Sequence, residues 1–228
     1  VYITHQVNVK AGIFTSLTSM VNHRIIRKFD ECWIPDQKGS LYSGELSKTT
    51  KKLNQKYIGI LSRIKKTDSE KNIDILIVLS GPEPNRTQLE EKLKAKFRDS
   101  GSNVYLIQGK IEDEQKITTQ GNLTIINFAL SDALENYLNT AKLVVCRSGY
   151  SSIMDVISLN KEAILIPTKG QSEQEYLGEY FSKKGRFDCV QEKDLDQYKF
   201  TFNNPKAPRK AFENKELAIS LFGLFHGK

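Results

Sequence analysis

The alternation of short apolar runs with amphipathic stretches constrains this chain more than any single motif. Residues 73–79 read Ile-Asp-Ile-Leu-Ile-Val-Leu, a β-branched run that stops at Ser80, Gly81 and Pro82. A helical pattern follows, with Leu89, Leu93 and Phe97 repeating every four residues on one face. Residues 103–107 and 123–127 are further strand candidates, residues 132–138 a helix and residues 143–146 a strand. Residues 151–159 suggest a helix carrying Ile153, Val156 and Ile157 on one side. Residues 163–166 read as a strand ended by Pro167, residues 173–184 as a helix, 187–190 as a strand and 211–222 as a final helix. Strands that are apolar throughout must be covered on both faces, and helical crossovers between them make the sheet parallel. The expected fold is therefore α/β, a Rossmann-like parallel sheet with helices on both faces, from about residue 57 onward. The first part of the chain reads as irregular. Within it, residues 29–36 suggest a short strand closed by a turn, residues 38–47 a Gly- and Ser-containing loop, and residues 57–61 a short strand.

Composition narrows the partners. The net charge of +7 fits either an anionic partner or a surface with excess lysine. Much of the lysine stands in mixed-charge helical stretches such as residues 89–96, which favours the plainer reading. No basic tract is interleaved with aromatics, so no nucleic-acid partner is expected. Cys32, Cys146 and Cys189 are widely spaced, form no C-x-x-C pair, and have only His5, His23 and His226 to join them. No metal site is expected, and the cysteine usage suits a reducing cytoplasm. No apolar run reaches the ~18 residues of a membrane span, and the first residues lack the pattern of a signal peptide. A start at Val1 rather than Met suggests a reading from inside a longer polypeptide.

In an open α/β sheet, ligands bind beyond the carboxyl ends of the strands. Two such ends carry Gly and Ser: Ser80 and Gly81, and Ser148 and Gly149 followed by Ser151. At the second, small residues lead directly into a helix, whose first N–H groups and positive dipole end suit a diphosphate. The same residues equally make an ordinary N-cap and turn. Asp155, near the start of that helix, suits the hydroxyls of a ribose, or simply a charge–dipole contact. Gln174 and Glu175 beyond the next strand suit sugar hydroxyls, or an ordinary polar helix start. Neither strand end is a G-x-G-x-x-G or a Walker A sequence, so dehydrogenase and P-loop readings find no support.

The order of these features resembles the MurG-like glycosyltransferases. Val144, Val145, Cys146, Arg147, Ser148 and Gly149 are followed six residues later by Asp155, then by Ile164-Leu165-Ile166-Pro167, then by Gln174 and Glu175. Upstream, Gly59-Ile60-Leu61-Ser62-Arg63 is similar to the family's Gly-x-x-x-Arg segment, and Asn127-Phe128-Ala129 to its base-binding segment. The chain departs from the family pattern in having Asp155 in place of Glu, Glu175 in place of a second Gln, and Ser80-Gly81-Pro82 in place of Gly-Gly-Ser.

The resemblance implies the C-terminal half of a GT-B glycosyltransferase. Residues 1–56 would be the tail of the N-terminal acceptor domain and linker, and residues 57–228 the nucleotide-sugar donor-binding domain. It implies inverting transfer of a hexosyl group, GlcNAc-like, from a UDP-sugar to an acceptor hydroxyl, with no cofactor and no metal. Arg63 would lie close to the nucleotide, Phe128 and Ala129 at the base, and Asp155 at the ribose. Ser80, Ser148 and Gly149 would meet the diphosphate and Gln174 and Glu175 the sugar, with Gly81 and Ser151 also among the donor-binding residues. No catalytic base is found among these residues. The implied partners are a nucleotide sugar, an acceptor that is lipid-linked or a glycan, and a missing N-terminal domain or partner subunit. The implied location is the cytoplasm, or the periphery of the inner membrane face. Two other readings stay open: a non-catalytic nucleotide-sugar-binding subunit that needs a separate acceptor-domain partner, and a UDP-sugar epimerase of the same architecture.

Overall fold

The computed structural model describes residues 1–10, 12–48 and 53–201. The helix expected over residues 211–222 lies outside them. The described residues fall in two compact units, one being Val1–Ser62 and the other beginning at Arg63.

The first unit is a three-stranded parallel sheet in the order β1 (Tyr2–Ile3), β2 (Cys32–Ile34), β3 (Gln55–Tyr57). The expectation of an irregular first part is corrected here: the 12-residue helix α1 (Thr15–Ile26) connects β1 to β2. Of this helix only Ile26 is buried, while Leu17, Met20, Val21 and Ile25 are exposed. Its apolar residues therefore mark no core-facing stripe, and its Ser and Thr residues read locally as loop. β3 also ends earlier than the run of residues 57–61 suggested. The loop after β2 is organised by Asp36, fully buried, whose carboxylate accepts hydrogen bonds from the N–H groups of Gln37, Tyr42 and Ser43 and from the hydroxyls of Ser43 and Ser47. A buried carboxylate is tolerable because every acceptor position has a donor.

The second unit holds a seven-stranded sheet in the order β10-β9-β8-β4-β5-β7-β6. Its strands are β4 (Ile73–Val78), β5 (Val104–Ile107), β6 (Ile117–Gln120), β7 (Leu123–Ile126), β8 (Ala141–Cys146), β9 (Glu162–Leu165) and β10 (Asp188–Cys189). The helices are α2 (Asn85–Phe97), α3 (Ser131–Thr140), α4 (Tyr150–Ser158) and α5 (Ser172–Lys183). All pairings are parallel except β6 with β7, an antiparallel edge that the sequence reading does not contain. All four β6 residues are exposed, so the strand has no apolar signature. One face of the sheet packs Ile75, Ile77, Val104, Leu106, Leu143, Val145 and Ile164 against Leu89, Leu93 and Phe97 of α2. The other face is closed by α4, with Ile153, Met154, Val156 and Ile157 buried.

The chain starts at the central β4, builds outward through β5 and β7, then returns to β8 and builds the other way through β9 and β10. The strand order thus reverses between β4 and β8. Loops leaving neighbouring strands part company there, and a crevice opens at the carboxyl ends.

Candidate functional site

A cavity of about 340 Å³ occupies that crevice. Val78, Leu79 and Ser80 line it from the end of β4, Ile107, Gly109 and Lys110 from the end of β5, and Phe128 and Ala129 from the end of β7. Val144 and Cys146 line it from β8, and Ser151, Ser152, Asp155 and Val156 from α4. Leu134 and Leu138 of α3 close the apolar side, and Arg63 completes the lining. An apolar interior with a few polar groups from α4 and the strand ends is the usual make-up of a small-molecule site.

Six of the residues selected from the sequence share this cavity: Arg63, Ser80, Phe128, Ala129, Ser151 and Asp155. Gly149 N-caps α4 with extended backbone (φ −70°, ψ 143°), and the first bond inside the helix runs from Ile153 N–H to Gly149 C=O. The Ser151 and Ser152 amides precede that bond, at the positive end of the helix. Asp155 is the sixth residue of α4, so it stands more than a turn inside the helix. That corrects its placement near the helix start and weakens the simple charge–dipole account, whose effect fades beyond the first turn. Burial pushes the Cys146 thiol up to about 12, and the negative charge of Asp155 adds to the shift. Cys146 is therefore a neutral apolar wall of the cavity at neutral pH.

Ser148, Gln174 and Glu175 are outside the cavity lining and carry structural bonds. Ser148 is fully buried, and its hydroxyl donates to the Gln174 carbonyl at 2.7 Å, tying the β8 turn to α5. Gln174 Oε1 accepts from Thr168 N–H at 3.0 Å, and Glu175 Oε1 from Gly170 N–H at 2.9 Å. These two side chains hold the loop between β9 and α5. Gly81 follows Ser80 and also stands outside the lining. Phe128 N–H is engaged by Asn127 Oδ1 at 3.0 Å, and Phe128 C=O accepts from Gln115 Nε2 at 2.8 Å.

Gly109, Lys110 and Ser152 line the site but were not selected from the sequence. Gly109 has φ +68°, and a Cβ there would lie 2.4 Å from the Leu79 carbonyl oxygen. Two strand ends meet so closely at the cavity because this residue has no side chain. The available signal was a Gly two residues beyond a predicted strand, as at Gly81. Lys110 adds a cation to a site that already has Arg63.

This arrangement of fold and crevice defines the α/β domain found as the C-terminal half of GT-B glycosyltransferases. Residues 75–203 match the glycosyltransferase family 28 C-terminal domain, and with more than half of it matched, the chain belongs to that family as its donor-binding domain. No curated protein sequence matches the chain. Among solved structures, MurG of Acinetobacter baumannii is 16% identical with a TM-score of 0.51, over 86% of this chain and 56% of that one. The glycotransferase of kitacinnamycin is 13% identical with a TM-score of 0.53, over 74% of this chain and 44% of that one. At such identities the likeness is one of fold. This chain spans about half the length of those two proteins.

Proposed function

We propose that the chain binds a UDP-sugar in the β4–β8 crevice and serves transfer of its hexosyl group, GlcNAc-like, to an acceptor hydroxyl with inversion. The observation that carries this reading is the single cavity that gathers Arg63, Ser80, Phe128, Ala129, Ser151 and Asp155 at the strand-order reversal. In this reading the base lies by Phe128 and Ala129, the ribose by Asp155, and the diphosphate by the strand-end turns at Ser80–Gly81 and Ser148–Gly149 and by the Ser151 amide. Since the Ser148 hydroxyl is committed to Gln174, that residue's part is to shape the turn. Gln174 and Glu175 would hold the sugar with the hydrogen-bonding capacity left after bracing their loop.

In the reaction, the acceptor oxygen attacks the anomeric carbon as the bond to the UDP oxygen breaks. The hydroxyl proton passes to a base supplied from outside the described donor site. Negative charge grows on the diphosphate, and amides at the start of α4 together with Arg63 would stabilise it. A preorganised donor of this kind contributes about 3 kcal/mol.

Residues 1–56 belong in this reading to the tail of the acceptor domain and its linker, and residues 57–228 to the donor domain. The division into compact units after Ser62 supports a change of domain in this region. The acceptor, lipid-linked or a glycan, would be held by an N-terminal domain or a partner subunit. Among the described residues no helix is long and apolar enough to cross a membrane. Location at the cytoplasm or at the inner membrane face is part of the proposal. A second reading is a nucleotide-sugar-binding subunit that works with a separate acceptor-domain partner.

A thermal-shift panel of UDP-, GDP- and ADP-sugars tests the donor. A UDP-sugar at 100 times its Kd should add about 2.7 kcal/mol to stability and raise Tm, with little response to the others. A response to none would overturn the proposal.

A further inference from the structure

Arg147 stands between β8 and the Ser148–Gly149 turn, yet it does not line the cavity. It is 1% exposed. Its Nη1 donates to Glu192 Oε1 at 2.5 Å and to the carbonyls of Pro167 at 3.3 Å and Ile166 at 3.4 Å. Its Nη2 donates to the Asn85 carbonyl at 3.0 Å, and its Nε is buried with no hydrogen-bond partner among the described residues.

The places of these partners matter more than their number. Asn85 opens α2, downstream of the Ser80–Gly81 turn. Ile166 and Pro167 follow β9, immediately before the loop braced by Gln174 and Glu175. Glu192 opens the short 3-10 helix Glu192–Asp194 beyond β10. One guanidinium therefore ties together chain leaving the carboxyl ends of β10, β9, β8 and β4, which are adjacent in the sheet. Stability alone does not require a buried ion pair, because well-packed apolar side chains do as well or better. A planar fork with fixed donor directions does what they cannot: it sets the spacing of the segments it bonds.

We propose that Arg147 is a positioning residue for the diphosphate of the donor. Its fork sets the spacing of the turns at 80–84 and 148–149 and of the loop at 168–171. The inference rests on the donor reading above. Arg147 bonds nothing at the ends of β5 or β7, where the base would lie, so its effect separates phosphate from nucleoside.

The test is titration of the full chain, as wild type, Arg147→Lys and Arg147→Met, with UDP by calorimetry and with uridine by ligand-observed NMR. Lysine keeps the charge and loses the fork. Both variants should lose roughly tenfold or more in UDP affinity, as expected when about one hydrogen bond to the charged diphosphate is lost. Uridine affinity should fall clearly less than UDP affinity, since the base contacts lie at the ends of β5 and β7 and Asp155 stands more than a turn inside α4. Equal UDP affinity in Arg147→Lys, or parallel losses for UDP and uridine, would overturn the role. Hydrogen exchange on the wild type needs no variant to fold. UDP should slow exchange together at residues 82–87, 147–152, 166–171 and 190–194, and protection confined to 147–152 would overturn the proposal. A wild type that binds no UDP overturns the donor reading, and this inference with it.

Discussion

Gly109 concentrates the demands on the site into one residue. Its positive φ strains any L side chain, and its missing Cβ is the space taken by the Leu79 carbonyl oxygen. Gly109→Ala should destabilise the second unit by about 1–3 kcal/mol, the usual cost of overpacking and a strained φ, measured by denaturant titration. Lys161 makes a different residue-scale prediction. It is 7% exposed, and its ammonium donates to the carbonyls of Asn139 and Ala141. Burial pulls its pKa down to about 7, helped by a hydrogen bond with Lys71 and by the charges of Lys71 and Lys66. The unfolded chain then holds a proton that the folded chain has shed between about pH 7 and lysine's ordinary value of 10.5. Stability from this group therefore rises with pH across that window. Lys161→Met should flatten the rise relative to wild type in a series of denaturant midpoints, and an unchanged pH slope would refute the assignment.

At the scale of elements, α5 packs against the ends of β9 and β10 through Gly178. A Cβ there would meet Cys189 Sγ at 2.7 Å, Pro167 Cγ at 2.9 Å and Ser148 Oγ at 3.6 Å. Gly178→Ala should cost about 1–3 kcal/mol by pushing the helix outward, and adding Cys189→Ala should recover part of the loss in a double-mutant cycle. Full additivity would mean that the helix does not lean on the thiol. What was legible in the sequence follows from burial. β4 from Ile75 and β8 from Leu143 are apolar because both faces are covered, and α4 shows its stripe because that stripe meets the sheet. The β6 strand and α1 were illegible for the complementary reason. β6 is fully exposed, and α1 buries Ile26 while exposing Leu17, Met20, Val21 and Ile25. The turn Gly121–Asn122 between β6 and β7 was the one local hairpin signal. The cavity lining was legible at Ser80, just beyond a strand, and at Ser151 and Asp155 on the helix that follows β8. It was less so at Ser148, Gln174 and Glu175, whose bonds to neighbouring backbone depend on how α5 sits against β9. No local pattern encodes that packing.

At the scale of the molecule, the seven-stranded sheet and its reversal between β4 and β8 place one cavity where donor chemistry belongs. Family 28 membership accounts for the donor-binding domain. The proposal adds the base, the sugar and the orientation of the donor. Asp155 is the residue on which the nucleotide assignment turns, because it alone among the proposed contacts brings a carboxylate into the cavity lining. The most direct measurement is calorimetric titration of the full chain with UDP, beside the Asp155→Ala variant. The account predicts saturable one-to-one binding by wild type and a loss of about 1–3 kcal/mol in the variant, the cost of removing charge-assisted hydrogen bonds. Equal UDP affinity in the two proteins, or no binding by the wild type, would contradict it.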